Sequence, residues 1–218
     1  GYTSAGRYTS WNDIWSYPGY KERDILPGDY KYEDWNGDGE INGQDEHPFA
    51  FDQTPWLQFS LNAGLQWKNL DFNMLLQGSA LGSMEYKEPL HEIWGKNGGG
   101  ALTQFLDRWH PVDPKADPYD PSTVWTSGHY AYTGRWAKNN SAFNRVSTAY
   151  LRLKSIELGY TFPKLKQIPN ASLRIYANAY NLLTFTGVKF VDPEHPDDDL
   201  GRMYPLNKTY TLGVSLSF

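Results

Sequence analysis

The chain has 218 residues, 39% of them hydrophobic and 21% charged, with a formal net charge of −5. That size predicts one globular domain or at most two, and the mild acidity excludes the basic surface that nucleic acid requires. Cysteine is absent, so neither disulfides nor thiolate metal sites hold the fold.

The longest aliphatic stretches are as short as Met74-Leu75-Leu76, far from the roughly 20 apolar residues of a spanning helix. Mean hydropathy is −0.65. That value has a soluble look, but a spanning strand needs only about 9–11 residues with every second one apolar. Gly1-Tyr2-Thr3-Ser4 lacks the basic and apolar regions of a signal peptide, which reads as a cytoplasmic, processed or partial chain. Aromatic content is the outlier at 16%, with 9 Trp and 16 Tyr. Such rings gather at membrane interfaces, stack against sugars, and also fill ordinary sandwich cores.

The opening segment, residues 1–55, reads as a long loop. Within it Asp34-x-Asn36-x-Asp38-Gly39-Glu40-Ile41-x-x-x-Asp45 has the spacing of an EF-hand calcium loop. Hard Ca²⁺ takes six to eight oxygens from such a loop, with Gly at the sharp turn. Asp34, Asn36, Asp38, the Glu40 carbonyl and Asp45 fill the ligand positions, and Ile41 anchors the loop. Asp45 is shorter than the Glu that closes an EF-hand. The same residues also suit an Asn-Gly/Asp-Gly turn with solvated carboxylates. The expected ion is structural.

From Leu57 to Trp67 the odd positions read Leu57, Phe59, Leu61, Ala63, Leu65, Trp67, and the even ones Gln58, Ser60, Asn62, Gly64, Gln66. Unbroken alternation gives a strand one apolar and one polar face. After Lys68-Asn69 the pattern resumes: Leu70, Phe72, Met74, Leu76, Gly78 and Ala80 against Asp71, Asn73, Leu75, Gln77 and Ser79. Two such runs about a minimal turn predict a hairpin. Each is about twice the 5–6 residues of a soluble strand.

Residues 81–149 read as a second long loop, with Trp94, Trp109, Trp125, Tyr130, Tyr132 and Trp136 available to stack on ligand or to pack under a lid. An exposed loop must bury something to be ordered, so holding the loop together is the plainer use of these rings. Tyr150 to Phe162 carries Ile156, Leu158, Tyr160 and Phe162 on one phase but Leu151 and Leu153 on the other. A bulge or change of face near Ser155 is expected. A turn over 163–170 leads to a strand of about 171–183, where Ala171, Leu173, Ile175, Ala177 and Ala179 oppose a polar row that includes Arg174, Tyr176, Asn178 and Tyr180. That row would contact substrate or a plug. After a loop of about 185–206 comes a last strand, 207–218, with Tyr210, Leu212, Val214, Leu216 and Phe218 on one phase. It resembles an outer-membrane assembly signal, although an ordinary last strand has the same phase.

The expected strands are therefore about 56–67, 70–80, 150–162, 171–183 and 207–218. Short and long connections alternate strictly, as in outer-membrane barrels with short periplasmic turns and long extracellular loops. Counting along the strands places Phe218 at the periplasmic rim and lines up Trp67, Phe72, Tyr160, Phe162 and Phe218 as an aromatic girdle. Catalysis has little support. His47, His91, His110, His129 and His195 are scattered, no HExxH, GxSxG or phosphate loop occurs, and Asp197-Asp198-Asp199 reads as a solvated face.

Several segments resemble the C-terminal region of SusC-like, TonB-linked outer-membrane proteins of Bacteroidetes. They are Pro27-Gly28-Asp29-Tyr30-Lys31-Tyr32, the Asp34–Gly39 run, Trp67-Lys68-Asn69-Leu70-Asp71-Phe72, Gln77-Gly78-Ser79, Tyr150 through Pro163, Asn181-Leu182-Leu183-Thr184-Phe185-Thr186, Asp192-Pro193-Glu194, and Thr209 to Phe218. The resemblance implies an all-β fold, the C-terminal strands of a transmembrane antiparallel barrel of roughly 22 strands. It also implies an N-terminal plug with a TonB box, a SusD-like surface lipoprotein as lid, outer-membrane assembly machinery, and glycan or peptide import driven by TonB. Five strands cannot close a barrel in lipid, which predicts a piece of a longer protein. Three other readings remain: a SusC-like scaffold subunit of a larger outer-membrane complex, a secreted all-β carbohydrate-binding module, and a β-sandwich glycoside hydrolase.

Overall fold

A computed structural model describes residues 1–18, 25–91, 101–132, 140–163, 171–197 and 200–218. In chain order the strands are β1 (Ser4–Arg7), β2 (Tyr30–Tyr32), β3 (Leu57–Trp67), β4 (Leu70–Ala80), β5 (Ser83–Glu85), β6 (His110–Pro111), β7 (Trp125–Thr126), β8 (Arg145–Ser147), β9 (Tyr150–Phe162), β10 (Ser172–Thr186) and β11 (Thr209–Ser217). One short helix, α1 (Trp11–Ser16), lies between β1 and β2 in sequence. The chain divides into two compact units. One comprises Phe51–Ser83, Ser147–Asp198 and Arg202–Phe218, and the other Gly1–Ala50, Met84–Val146 and Asp199–Gly201.

The first unit is a five-stranded sheet in the order β11-β10-β9-β4-β3, with every neighbouring pair antiparallel. Its strands run for 11, 11, 13, 15 and 9 residues in chain order. Those lengths meet or exceed the need of a tilted membrane crossing. The β3–β4 hairpin closes on Trp67 opposite Leu70, with Lys68 in the left-handed region at φ 55°. β10 continues three residues past the expected 183, because the apolar phase resumes at Leu183 and Phe185 after a bulge.

The phase change in β9 has a structural cause. Ser155 pairs with Leu75 and Leu153 with Leu76, which leaves Lys154 as the extra residue of a bulge. β10 answers with its own irregularity between Tyr180 and Leu183, where Asn181 adopts φ 52°. Because side chains alternate with period two, one inserted residue exchanges the faces. Leu151 and Leu153 thereby rejoin Ile156, Leu158 and Tyr160 on one side, and Arg152 joins Ser155 and Glu157 on the other.

No second sheet covers the apolar side among the described residues. Leu57 is 47% exposed, Leu61 57%, Leu65 66% and Leu212 76%. A water-soluble sandwich would bury these rows, and uncovered apolar surface of this extent marks contact with something other than water. β3 and β11 each have one sheet neighbour, so the barrel is not closed within this chain.

The second unit collects most of the two longest segments read as loops, which hold structure of their own. β1 pairs with β2, β5 with β8, and β6 with β7. Its core is Tyr2, Tyr30, Tyr32, Ile41 and Ala131, with Phe143 packed against it. The Tyr2 and Tyr32 rings lie 5.5 Å apart, and Tyr30 and Phe143 4.8 Å. The Arg7 guanidinium sits 4.4 Å over the Tyr30 ring and donates to the Gly28 carbonyl at 2.9 Å. Rings form most of this core, since a large flat side chain buries much area from few residues.

Candidate functional site: the polar face of the sheet and the outer loops

On the polar face of the sheet, Asp71, Gly159, Tyr176 and Gly213 form one row across four strands, linked through the pairs Asp71–Gly159, Gly159–Tyr176 and Tyr176–Gly213. Both glycines are required by close approach. A Cβ on Gly159 would stand 2.5 Å from the Arg174 guanidinium and 2.6 Å from the Asp71 carboxylate, and one on Gly213 2.2 Å from the Tyr176 ring. Gly159 thus opens a path over β9. Through it Arg174, on β10, reaches Asp71 on β4 with Nε–Oδ1 at 3.1 Å and Nη2–Oδ2 at 2.5 Å. The same Nη2 donates to Glu157 Oε1 at 2.6 Å. Asn178 Nδ2 donates to the second oxygen of Glu157 at 3.4 Å, and Arg174 stacks 4.7 Å from the Tyr176 ring. Arg174, Tyr176, Asn178 and Tyr180 all fall on this face through their pairings with Thr161, Gly159, Glu157 and Ser155. Two carboxylates meet one guanidinium, so the cluster carries a surplus negative charge.

Beyond the bulge lies a second, more buried network that sequence reasoning did not assign. Arg152 is 1% exposed. Its Nη2 donates to both oxygens of Asp192 at 2.8 Å, its Nη1 to Glu194, and its Nε to Thr184 Oγ1 at 2.9 Å. Lys154 Nζ donates to the Glu194 oxygens at 3.0 and 2.9 Å, and the Tyr150 hydroxyl to Glu194 at 3.2 Å. Two cations balance two anions, and the β10–β11 connection is held onto the sheet by them. The available signal was a cation between Leu151 and Leu153 together with an Asp-Pro-Glu farther along. Nothing in the spacing joins two segments 40 and 42 residues apart.

In the turn over 34–45, both Asp34 oxygens accept backbone N–H groups, from Gly37 and Asp38 and from Gly39. Asp38 Oδ1 accepts from the Glu40 N–H at 2.8 Å, and Asn36 Oδ1 from the Asp38 N–H at 3.0 Å. Asp45 departs from the closing role that its position suggests. It is 1% exposed, and its two oxygens take the N–H groups of Trp35, Asn36 and Asn42. It acts as a cap on the turn. As the loop stands, Asn36, Asp38 and Glu40 are exposed and Asp34 is half-buried, and among the described residues no three His, Asp or Glu side chains converge as a metal cluster.

Of the loop aromatics, Trp109 and Trp125 line one cleft in the second unit. Tyr130 packs on Phe105 at 4.6 Å and Tyr132 on Trp125 at 5.3 Å. Trp94 and Trp136 lie outside the described residues. Burial pushes the Tyr8 and Tyr130 hydroxyls up to about 12, so both stay neutral donors. Tyr210, Leu212, Val214 and Leu216 project from the uncovered apolar side of β11, and Phe218 follows it at 96% exposure.

No family model matches the chain. It is 28% identical over 211 residues to TonB-dependent receptor P3 of Formosa agariphila, covering 89% of this chain and 19% of that protein. TonB-dependent receptor P26 of the same organism is 28% identical over 206 residues, covering 88% and 20%. Among solved structures, that of the RagAB peptide transporter matches with a TM-score of 0.62 and 22% identity over 87% of this chain and 19% of that one. The RagAB importer in its closed-closed state matches at 0.60, with 22% identity over 88% and 20%. The chain thus spans about a fifth of the length of the relatives it matches. Sequence similarity to TonB-dependent receptors and likeness of fold to the RagAB transporter agree with the sheet described above, and the chain has the all-β fold of part of the barrel of a SusC-like transporter.

Proposed function

We propose that the chain forms part of the wall and outer loops of a TonB-dependent outer-membrane transporter that imports glycans or peptides together with a SusD-like lipoprotein. The observation that carries this reading is the uncovered apolar side of the sheet, whose only fitting solvent is hydrocarbon. On this reading the polar side faces the lumen, and the Asp71–Glu157–Arg174 cluster meets the plug or passing substrate. The second unit is extracellular, where it meets the lipoprotein. Upstream strands close the barrel, and TonB acts through a plug that precedes this region. The chain itself is passive wall, and no step of bond making is assigned to it.

Envelope fractionation tests the reading. The full-length protein should remain with the outer membrane after a carbonate wash, come off only with detergent, and run faster on gels unheated than boiled. A strain lacking the gene should lose growth on a polymeric glycan or peptide source to the same degree as a strain lacking TonB. Release by carbonate, or growth that ignores TonB, would overturn it.

A further inference from the structure

At an Asn-Gly junction a side-chain amide meets the least hindered backbone nitrogen, because glycine sets no Cβ beside it. The chain has Asn36-Gly37, Asn42-Gly43 and Asn97-Gly98, and the last lies outside the described residues. The other two share one turn and one feature. In each the amide oxygen accepts the N–H two residues on, from Asp38 at 3.0 Å and from Gln44 at 2.9 Å. That bond draws the amide carbon over the intervening glycine and polarises its C=O.

The two junctions differ at the nucleophile and at the leaving group. The Gly37 N–H donates to Asp34 Oδ1 at 2.8 Å. A hydrogen bond to a carboxylate holds that proton in place and opposes negative charge on the nitrogen. Asn36 Nδ2 is held as well, by Asp38 Oδ2 at 2.9 Å and Gln44 Oε1 at 3.3 Å. Asp38-Gly39 is closed in the same way, its glycine N–H donating to the other Asp34 oxygen at 2.9 Å. Among the described residues neither the Gly43 N–H nor Asn42 Nδ2 has a partner. Gly43 is exposed, and a Cβ there would meet nothing within 4 Å, so water reaches the junction. Asn42 is extended at φ −146° and ψ −168°, which keeps its amide carbon nearer the next nitrogen than a helical backbone would.

We infer that Asn42 is a site of spontaneous deamidation and that Asp34 protects Asn36 from the same reaction. The Gly43 nitrogen gives its proton to hydroxide and attacks Asn42 Cγ. The new C–N bond closes a succinimide ring and the bond from Cγ to Nδ2 breaks. That nitrogen takes a proton from water and leaves as ammonia, which regenerates the hydroxide. The Gln44 N–H at Oδ1 stabilises the charge that builds on this oxygen. Water then opens the ring. Attack at Cγ leaves an aspartate at position 42, and attack at the main-chain carbonyl leaves an isoaspartate, with the chain running through the former side chain. Nothing is oxidised or reduced, and the sum is one water consumed for each ammonia released. Aspartate caps the turn as well as asparagine does. Isoaspartate takes the capping oxygen into the main chain and leaves the Gln44 N–H without it. Either product adds a negative charge beside Asp45 and Glu46. The reaction needs neither TonB nor a membrane, so it stands apart from the import reading.

The test incubates the full-length protein in detergent, in calcium-free, mildly alkaline buffer made with heavy-oxygen water, and follows each junction by peptide mapping. The label separates conversion during incubation from conversion during digestion. A synthetic peptide spanning Glu40–Glu46 sets the unrestrained rate. Asn42 should convert within about tenfold of the peptide, to aspartate and isoaspartate, and at least about tenfold faster than Asn36, the scale of one charge-assisted hydrogen bond. Gly43→Ala, which crowds the nitrogen without touching a neighbour, should slow Asn42 at least about tenfold. Asp34→Asn, which keeps the shape of the turn and removes the charge, should speed Asn36 at least about threefold and Asn42 less than Asn36. Asn42 more slowly converted than those limits, or unaffected by Gly43→Ala, would overturn the site. Asp34→Asn that leaves Asn36 unchanged, or speeds both junctions equally, would overturn the protection.

Discussion

Replacing Arg152 with Met separates charge from volume at the most buried ion network of the sheet. Asp192 and Glu194 have side chains only 12% and 14% exposed, and Arg152's is 2% exposed. With the guanidinium gone, Asp192 loses both of its 2.8 Å bonds, while Glu194 keeps Lys154 and Tyr150. Breaking one partner of a buried pair costs about 3–5 kcal/mol, because a carboxylate stays behind without its counter-charge. At about 1.4 kcal/mol per decade, the open form of the β10–β11 connection rises by about two to three and a half decades.

Lys189 lies in that connection, and tryptic cleavage there follows the open population while closing outpaces cutting. Intact outer membranes carrying the full-length Arg152→Met protein should be cut at Lys189 about a hundredfold faster than the parent, or more. Adding Asp192→Asn should recover part of the loss, since it removes the stranded charge. Cleavage of Arg152→Met within about threefold of the parent, under 1 kcal/mol, would refute the reasoning.

Three further outcomes follow from named contacts. Gly159→Ala should drive Arg174 off Asp71, so that adding Arg174→Met to it costs little more, and fully additive losses in thermal unfolding would show that the two do not share one bridge. Deleting Phe218 should lower the amount of barrel assembled in the outer membrane, read as the heat-modifiable band, and unchanged levels would make β11 an ordinary last strand. We propose that the 34–45 turn takes Ca²⁺ through Asp34, Asn36, Asp38 and the Glu40 carbonyl, with Asp45 holding the turn. Calorimetric titration should then show a heat for the intact protein that Asp38→Ala lacks, and identical heats would remove the site.

The sheet was legible because its signal is local. Leu57 to Trp67 declares two faces by itself, and the disagreement between Leu151–Leu153 and Ile156–Phe162 points to the bulge, since period two cannot absorb one extra residue otherwise. The loop unit was not legible, because its order comes from aperiodic contacts. Tyr2 meets Tyr32, Arg7 meets Gly28, and Trp109 lies on Gly28, none of them at a spacing that a strand or helix would announce. The polar face shows the same division at finer grain. Alternation puts Arg174 and Asp71 on one side, yet their meeting depends on the missing side chain of Gly159, 15 residues from one and 88 from the other along the chain. In a run of polar-phase residues a glycine reads as filler, and only the register with Asp71 and Tyr176 turns it into a passage.

Asp45 extends the argument to chemistry. Spacing assigns an oxygen a place in the loop but not a direction, and burial decides between a ligand and a cap. A carboxylate withdrawn to 1% exposure has three amide donors close by. Taking it out to a cation would leave those donors without an acceptor at about 1–3 kcal/mol each. An ion at this turn would therefore be held mainly by exposed Asn36 and Asp38 and by the Glu40 carbonyl, with half-buried Asp34 sharing oxygens that already accept the Gly37, Asp38 and Gly39 N–H groups. Fewer oxygens than a full EF-hand supplies place its affinity nearer the millimolar range of extracellular modules than the micromolar range of sensors.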